Sequence, residues 1–398
     1  MIGKQEILHI SNVRRINPHV IEKDYILGWI LAGIYHNATL KNSWIFKGGT
    51  CLKKCHFDTY RFSEDLDFTV VKPSHLSSDF LTETFTEICD WLHDEFGLEI
   101  PPRLLSFEIF TNPRGSKSCR GKIGYRGPVN PQYGYRSLPR LKIDLTFDEI
   151  LVLPSTERTI HHNYSDDLPE ELVAQCYAIE EIAAEKICAM GQRVRPRDLY
   201  DLVNLFRNDE ARPNRIIINE ILLKKCAHRN ITVPKLSDIQ VRDKDFEMHW
   251  SHMLSHQLQE LPPIESYFSA LSKFFDWLQT GAIHSLSPIA QIQENETILR
   301  ESSMNLHLKH DAKVWLEVIR FAAINHLCVD LTYEHSVHCI EPYSLHCAKD
   351  GKIILHAIRI SDKKHFIYQI ENIESARVTT HSYIPRYQIE LRPLIQPS

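Results

Sequence analysis

WIFKGGTCLKKCHFDTYRFSEDLDFTV, residues 44–70, contains the motifs from which the core of this chain can be predicted. It begins with a short apolar run, Trp44 to Phe46, which predicts a strand. Gly48-Gly49-Thr50 follows, and then about three turns of predicted helix. The stretch ends in Asp65-Leu66-Asp67-Phe68, which predicts a second strand. The rest of the chain is organised around this order of strand, glycine pair, helix and strand.

The two aspartates have the spacing of one strand face. Side chains alternate along a strand, so Asp65 and Asp67 point to one side while Leu66 and Phe68 point to the other. Paired carboxylates bind a hard cation such as Mg²⁺ together with water and substrate phosphates. The glycine pair lets backbone N–H groups approach a triphosphate closely. Together these features are expected of a nucleotidyltransferase active site.

Neither motif is specific by itself. Asp-x-Asp is common on solvated strands and turns, and Gly-Gly-Thr carries no more information. Their order, with apolar residues between and after the carboxylates, makes the combination specific.

Composition bounds the class of protein. The chain has 398 residues, enough for two or three domains with sizeable cores. Its net charge is −5 and its sequence pI about 6.5, so any contact with nucleic acid must come from a local patch. No run of about 18 apolar residues and no secretory leader is evident. We therefore expect a cytoplasmic protein that does not associate with a membrane. Ten cysteines occur without Cys-x-x-Cys, and we expect reduced, mostly buried thiols and no structural zinc.

Periodicity predicts the elements beside the glycine stretch. Apolar residues at helical spacing predict long helices over 17–37 and 78–96, and residues 104–110 predict a strand. Within the first helix we interpret Glu22-Lys23-Asp24 as a solvated end.

Residues 113–142 differ in charge from their surroundings. Eight lysines and arginines alternate with tyrosines and glycines, and no acidic residue lies between Glu108 and Asp144. Such a loop or hairpin can neutralise phosphates and stack bases, or it can be a mobile surface hairpin whose cations are only solvated. We favour contact with a triphosphate or RNA, through these candidates: Arg114, Lys117, Arg120, Lys122, Arg126, Arg136 and Arg140.

Residues 141–147 alternate apolar and polar side chains, which predicts a strand with one buried face. Asp144 lies on the polar face with Lys142 and Thr146. Beside the Asp65 strand, Asp144 would be the third carboxylate of a two-metal site, with metals about 4 Å apart. The alternative is a solvent-facing aspartate on an edge strand.

Two further helices carry candidate residues. Residues 178–190 form an apolar stripe with Lys186 near its edge, and Asp198 and Asp201 share a face of the helix that opens at Pro196. Cations near a carboxylate–metal site would stabilise the charge that spreads over phosphoryl oxygens. The alternative is a salt-bridged acidic face and a solvated basic turn.

These motifs together resemble the AbiEii/AbiGii-type nucleotidyltransferase toxins of bacterial toxin–antitoxin and abortive phage-infection systems. The resemblance spans roughly residues 15–280. It rests on these segments: Lys47-Gly48-Gly49-Thr50, Arg61 to Phe68, Ile143-Asp144-Leu145, Glu185-Lys186 and Arg197 to Leu202.

The resemblance implies an α+β chain with a DNA polymerase-β-like nucleotidyltransferase core and a helical lobe. It implies that Asp65 and Asp67 bind Mg²⁺ or Mn²⁺ and that Lys186 and Asp198 are required for activity, while Asp144 is added as a ligand from its strand position. The implied reaction transfers a nucleotide from an NTP to RNA, at the 3′ end of a tRNA. The nucleotide-binding candidates are Lys47, Gly48, Gly49, Thr50, Ser63, Lys186 and Arg197.

The C-terminal part predicts a separate unit. A helix over 314–323 leads into short alternating runs, which are typical of a small, bent sheet or barrel. This part resembles a WYL domain, an SH3-like or Sm-like β-barrel associated with bacterial regulators and phage defence. Ile353-Ile354-Leu355 stands where that family has Trp-Tyr-Leu, and Gln369 stands near its usual arginine. Ligand sensing, protein binding and a structural role therefore all stay open.

The predicted domains are a core over 1–160, a helical lobe completing the active site over 161–279, a linker over 280–310 and a WYL-like domain over 311–398. The predicted function is that of a Mg²⁺-dependent nucleotidyltransferase toxin acting on RNA, with a separate antitoxin protein as a partner. Two alternatives stay open. One is an NTP-sensing regulator without transfer chemistry, and the other is nucleotidyl transfer to a protein or a small molecule.

Overall fold

The computed structural model describes residues 1–169, 172–209, 211–283, 285–291, 296–300 and 306–391. The chain divides into two compact units. The first contains residues 1–182 and 227–230, and the second contains residues 183–226 and the described residues from 231 onward. The predicted linker and the end of the predicted WYL-like domain lie partly outside the described residues.

The first unit combines helices with a mixed sheet. Its helices are α1 (Lys4–Arg14), α2 (Pro18–His36), α3 (Gly48–Cys51) and α4 (Ser78–Phe96), and a π-helix (Leu52–His56) continues α3. Its strands are β1 (Trp44–Lys47), β2 (Asp65–Val70), β3 (Leu105–Thr111), β4 (Lys117–Gly124), β5 (Arg140–Thr146), β6 (Thr156–Thr159) and β7 (Val173–Cys176).

Strand order places β2 near the middle of this sheet. In the described part of the first unit, the order is β3-β4-β5-β2-β1-β7-β6. β2 pairs in parallel with β5 and antiparallel with β1, and β1 pairs in parallel with β7. β5 is therefore a direct neighbour of β2 although β3 and β4 separate them along the chain.

One face of the sheet is apolar and packs against α2 and α4. The rings of Phe46 and Phe68, on neighbouring strands, have centroids 5.2 Å apart, and Trp44 lies 6.0 Å from Phe85 of α4. Tyr35 of α2 donates a hydrogen bond to the carbonyl of Trp44. Aromatic contacts at these separations stabilise the packing beyond the burial of apolar surface. This face of the sheet therefore forms the core. The polar side chains of the same strands lie on the opposite face.

The charged residues of α2 are not a solvated end, and that interpretation is wrong for Glu22 and Asp24. These two side chains are 2% and 4% exposed. Each charged residue instead contacts a different segment: Glu22 accepts from the backbone N–H of Val129 at 2.7 Å, Lys23 pairs with Glu64 at 2.7 Å, and Asp24 pairs with Lys54 at 2.8 Å. Helix α2 thus holds together three segments that sequence position separates.

The buried Asp24 ion pair makes the first unit acid-sensitive. Burial raises the pKa of Asp24, but the attraction of Lys54 and Lys53 outweighs burial and lowers that pKa from 3.8 to about 2. Because the folded-state pKa lies below the unfolded one, the pair contributes about 2 kcal/mol at pH values above the unfolded pKa. This contribution is lost as the pH falls from the unfolded-state pKa of 3.8 towards the folded-state pKa of about 2.

We expect Asp24→Asn to lower the urea midpoint of unfolding at pH 7, because Lys54 then loses its buried partner. The difference from wild type should shrink as the pH falls towards the folded-state pKa of about 2. Urea unfolding over a series of pH values measures this, with the exposed Asp94→Asn as the control. A difference that stays constant with pH would contradict the assignment.

The second unit contains most of α5 (Ile179–Gln192) and α7 (Arg215–Arg229). Its other helices are α6 (Pro196–Arg207), α8 (Leu236–Gln240), α9 (Asp243–Leu254), α10 (Ile264–Thr280) and α11 (His310–Ile324). Its strands are β8 (Thr297–Ile298), β9 (Leu327–Tyr333), β10 (Ser336–Cys347), β11 (Ile353–Arg359), β12 (Lys364–Gln369) and β13 (Ile373–Ser382). No helix among the described residues combines the length and apolar character needed to cross a bilayer.

The C-terminal strands form a sheet, one of the two predicted possibilities, and the sheet is antiparallel. Their order is β12-β11-β10-β9-β13, with β8 beside β10. β10 has an irregular register between Pro342 and Ser344, which is where a strand bends. Within the described strands, β12 and β13 do not pair to close a barrel. The SH3-like or Sm-like barrel and the WYL likeness therefore stay predictions.

Asn325, just after α11, is a buried polar centre of the second unit and is 1% exposed. Its Oδ1 accepts from the hydroxyls of Tyr200 on α6, at 2.8 Å, and Tyr267 on α10, at 2.9 Å. Its Nδ2 donates to the carbonyl of Phe321 at 2.8 Å. A buried amide needs such partners, so this one fixes the helices relative to the start of the C-terminal sheet.

Candidate active site

Three carboxylates share the polar face of the first sheet. Asp65 and Asp67 lie on β2, and Asp144 lies opposite Asp67 in the parallel pairing of β2 with β5. All three are partly exposed, whereas Leu66 and Ile143 are buried. Alternation along both strands therefore brings the carboxylates to one face. The structure brings these residues together, and their role as metal ligands stays a prediction.

Gly48 and Gly49 bring the backbone against this face. Gly48 has a φ of +82°, and a Cβ atom there would lie 2.6 Å from Oδ2 of Asp67. A Cβ atom at Gly49 would collide with Nη2 of Arg61. Glycine is needed at the first position for its left-handed backbone and at both for the close approach. The backbone here therefore has a carboxylate on one side and a guanidinium on the other.

Thr50 fixes α3 to the segment that leads into β2. Its Oγ1 lies 2.8 Å from Oγ of Ser63 and donates to the backbone carbonyl of Asp65. Thr50 is 1% exposed and Ser63 is 8% exposed. These two hydroxyls hold the glycine pair beside the carboxylates, and their contact with an NTP stays a prediction.

Lys47 extends onto the same face, opposite Asp67 in the pairing of β1 with β2. Its ammonium donates to Oγ1 of Thr146 at 3.0 Å. Burial raises the pKa of Glu149, but the attraction of Lys47 and Arg229 outweighs burial and lowers that pKa. Lys47 is therefore a fixed cation next to the carboxylates.

The donor set fits a hard divalent cation. Asp65, Asp67 and Asp144 offer carboxylate oxygens, the ligand type that Mg²⁺ and Mn²⁺ prefer. Their partial exposure leaves coordination positions for water and substrate phosphates. Gly48 keeps space beside Asp67 that a Cβ atom would fill. The residues present can therefore hold such a metal.

Part of the basic segment, for which the sequence left a loop or a hairpin open, is a strand, β4. In its antiparallel pairing with β5, Arg120 lies opposite Asp144 and Lys122 lies opposite Lys142. Paired residues of neighbouring strands share a face, so these exposed cations lie on the face of the carboxylates. Arg140 continues the row at the start of β5. We call these four residues, Arg120, Lys122, Arg140 and Lys142, the basic stripe.

Two other candidates of the basic segment are engaged within the first unit. Arg114 pairs with Asp148 at 2.6 Å, and Arg126 pairs with Glu99 at 2.8 Å. Each guanidinium is held by a carboxylate of the same unit, and contact of Arg114 and Arg126 with RNA stays a prediction. The remaining candidates are exposed: Lys117 and Arg136.

Lys186 belongs to a buried ionic cluster in the second unit. Its Nζ lies 2.9 Å from Oδ1 of Asp198 and 2.6 Å from Oδ2 of Asp201. The three residues are 9%, 4% and 0% exposed. Arg197, on α6, is partly exposed. The structure brings Lys186 and Asp198 together as an ion pair, and their requirement for activity and the contact of Arg197 with an NTP stay predictions.

We expect Lys186→Met to lower the unfolding temperature by about 10 °C, because breaking a buried ion pair by removing its cation costs about 3–5 kcal/mol. Lys186→Arg keeps the charge and should retain most of the stability. The exposed Lys244→Met on α9 is the matched control. Thermal unfolding followed by circular dichroism measures all three, and an unchanged transition in Lys186→Met would mean that the cluster is not stabilising.

Residues 29–279 match the family model described as nucleotidyl transferase AbiEii toxin, type IV toxin–antitoxin system. The matched range includes the carboxylate face, the glycine pair and the Lys186 cluster. The enzyme class is therefore nucleotidyltransferase, as predicted. The chain belongs to the AbiEii family of toxins from type IV toxin–antitoxin systems.

One solved structure that matches this chain in the structural comparison is that of MenT4, a nucleotidyltransferase toxin from Mycobacterium tuberculosis H37Rv. The two chains are 19% identical, the similarity covers 69% of this chain and 89% of that chain, and the TM-score is 0.47. No curated protein sequence matches this chain significantly.

Two residues of the site had no assigned role in the sequence. Arg61 is 2% exposed and its guanidinium lies against the backbone of Gly49. The sequence feature that could have indicated a role for Arg61 was its position two residues before Ser63, a nucleotide-binding candidate. Lys142 lies opposite Asp65 in the pairing of β2 with β5. The sequence feature that could have indicated a role for Lys142 was the alternation of residues 141–147, which puts Lys142 on the same strand face as Asp144.

Proposed function

We propose that the chain transfers a nucleotide from an NTP to RNA in a Mg²⁺-dependent reaction, with the 3′ end of a tRNA as the acceptor. The observation that carries the proposal is the basic stripe beside three carboxylates on one face of one sheet. Four exposed cations in adjoining positions fit the repeated phosphates of a polynucleotide better than they fit a small acceptor.

The glycine pair is proposed to hold the triphosphate. Backbone N–H groups at Gly48 and Gly49 would donate to phosphate oxygens, because no side chain keeps the ligand away. Arg61 and Lys47 would offset the charge that develops on the phosphoryl oxygens. Both cations are buried and held by neighbouring groups, so they need little reorganisation during the reaction.

The carboxylates are proposed to hold the metal. Bound there, Mg²⁺ or Mn²⁺ would activate the acceptor hydroxyl and neutralise the leaving pyrophosphate. Asp65, Asp67 and Asp144 fix the position of that charge next to the glycine pair. Lys186 and Asp198 join α5 to α6, and Arg197 offers a partly exposed guanidinium for the NTP.

The biological role proposed is that of a toxic effector in bacterial toxin–antitoxin or phage defence, acting in the cytoplasm where NTP and tRNA are present. A separate antitoxin protein would neutralise it. The C-terminal sheet, as a WYL-like module, would regulate the enzyme or help to bind its target.

The direct test is to incubate the full-length protein with Mg²⁺, each labelled NTP in turn and total bacterial RNA, and to resolve the products on a denaturing gel. We expect label from one preferred NTP in a band of tRNA size. Lys122→Glu combined with Lys142→Glu reverses charge in the stripe and should abolish RNA labelling. Lys41→Glu, an exposed lysine before β1, is the control and should leave labelling unchanged.

Other outcomes would replace the proposal. Binding of nucleotide without any labelled product would favour an NTP-sensing regulator. Label in a protein or a small molecule, insensitive to the charge reversal, would favour a different acceptor. The three clustered carboxylates argue against the sensor, because NTP binding without chemistry has no use for a second metal.

A further inference from the structure

A chemically different cluster lies elsewhere in the first unit. The thiols of Cys51, Cys55 and Cys176 are buried, and their sulfur atoms all lie within 4.8 Å of one another. Cys51 ends α3, Cys55 lies in the π-helix that continues α3, and Cys176 ends β7. The third thiol comes from a distant part of the chain, so the sequence alone gave no reason to expect zinc.

The spacing of the sulfur atoms fits a thiolate-bound metal. Three sulfur atoms around one tetrahedral Zn²⁺, each at about 2.3 Å from the ion, lie about 3.8 Å from one another. The three cysteines are free thiols and not disulfides. Thiolates select soft or borderline ions such as Zn²⁺, whereas carboxylates select Mg²⁺. This cluster and the carboxylate face would therefore bind different metals.

His56 gives an independent indication of a missing partner. It follows Cys55 in the chain and is 2% exposed. Its Nε2 lies 3.0 Å from the carbonyl oxygen of Tyr177, the residue after Cys176. A carbonyl oxygen only accepts, so Nε2 carries the proton and Nδ1 keeps its lone pair.

Nδ1 of His56 is buried and has no hydrogen-bond partner among the described residues. A histidine that donates one N–H to a backbone carbonyl and keeps its other nitrogen bare has the arrangement of a metal ligand. The 4.8 Å group of described residues contains the three sulfur atoms alone. His56, the residue after Cys55, is therefore the candidate for the fourth position.

The surrounding charge is also suitable. Three thiolates and one divalent ion leave one negative charge, which is costly inside a protein unless a cation lies nearby. Arg158, on β6, interacts electrostatically with both Cys51 and His56. Its guanidinium would balance the charge of the occupied site.

We propose that Cys51, Cys55 and Cys176 bind one Zn²⁺ ion through their thiolates, with His56 in the fourth position. The ion would tie the helix that follows the glycine pair to β7. It would thereby fix the backbone of Gly48 and Gly49 from the side opposite the substrate. The site is structural, and it does not depend on which molecule accepts the nucleotide.

The test measures metal content and not activity. Buried thiols must acquire the ion during folding, so the full-length protein is produced in medium supplemented with Zn²⁺, gel-filtered and assayed by mass spectrometry. We expect one Zn²⁺ per chain. In a second measurement, unfolded wild type is refolded with Cd²⁺ alone, and three thiolates should give an ultraviolet charge-transfer band. Protein that retains no Zn²⁺ and shows no such band overturns the proposal.

Variants locate the ion. Cys176→Ser should reduce the Zn²⁺ content from one per chain to near zero, whereas Cys89→Ser, a buried cysteine on α4, should leave it unchanged. Zn²⁺ that persists in folded Cys176→Ser, or is lost in folded Cys89→Ser, would place the ion elsewhere and overturn the assignment. If Cys176→Ser does not fold, the Cd²⁺ band of the wild type decides alone.

Discussion

Asp67→Asn will reduce nucleotidyl transfer by about a thousandfold or more while leaving the protein folded. The substitution keeps the shape of the side chain and removes one negative charge from the carboxylate face. Asp67 lies opposite Asp144, so the change also removes repulsion between like charges, and the unfolding temperature should not fall. Initial rates with labelled NTP and thermal unfolding measure the two effects.

The matched control is Asp90→Asn, which removes an exposed carboxylate from α4 and should keep the wild-type rate. If Asp67→Asn retains more than about a tenth of the wild-type rate, Asp67 is not a ligand of a catalytic metal. If both variants lose activity together, the loss comes from general destabilisation, and the unfolding temperatures will show it.

Gly48→Ala is expected to lower transfer by about a hundredfold, because displacing a reacting group by an ångström has effects of this size. The new methyl group would lie 2.6 Å from Oδ2 of Asp67 and must push that carboxylate away. The left-handed backbone adds a penalty of about 1–2 kcal/mol to folding. Activity and unfolding temperature should therefore both fall.

Gly97→Ala separates the two effects. Gly97 ends α4 with a φ of +71°, so it has the same backbone penalty, but a Cβ atom there would meet nothing within 4 Å. We expect this control to lose stability and keep its transfer rate. Equal rates in Gly48→Ala and Gly97→Ala would mean that the position of the Asp67 carboxylate does not limit catalysis.

Alternation and helical spacing were sufficient to locate the elements that carry the carboxylates. The helices predicted over 17–37 and 78–96 correspond to α2 and α4, and both aspartate strands lie where the period of two placed them. These elements have a strong local signal because one side of each is buried and the other is not. The pairing of β2 with β5 was expected only if Asp144 joins Asp65 and Asp67 in one site. The structure confirms that pairing.

The basic segment was predicted as a loop or a hairpin, and β4 could not be located within it because its composition is unfavourable for a strand. Its glycines lower strand propensity, yet a Cβ atom at Gly121 would collide with Ile143 of β5, and one at Gly124 would lie 2.7 Å from Leu104. The packing of β4 against its neighbours therefore requires glycine at these two positions, and the same glycines weaken the strand pattern in the sequence.

The contacts between residues far apart in the chain could not be predicted from the sequence either. Charged residues are usually solvated, and only the fold shows that Glu22 and Asp24 meet the backbone of Val129 and the ammonium of Lys54. Similarly, Cys51 and Cys55 have ordinary helical spacing, and only the pairing of β1 with β7 brings Cys176 to them.

The hydrogen bonds of Asn325 have a consequence for truncation experiments. Deleting the C-terminal sheet together with Asn325 would leave the hydroxyls of Tyr200 and Tyr267 without their shared acceptor. A shortened protein would then lose activity through cooperative unfolding even if the sheet has no regulatory task. Regulation is therefore better probed by substituting exposed side chains of the sheet, such as Val337 and Ile367, than by removing it.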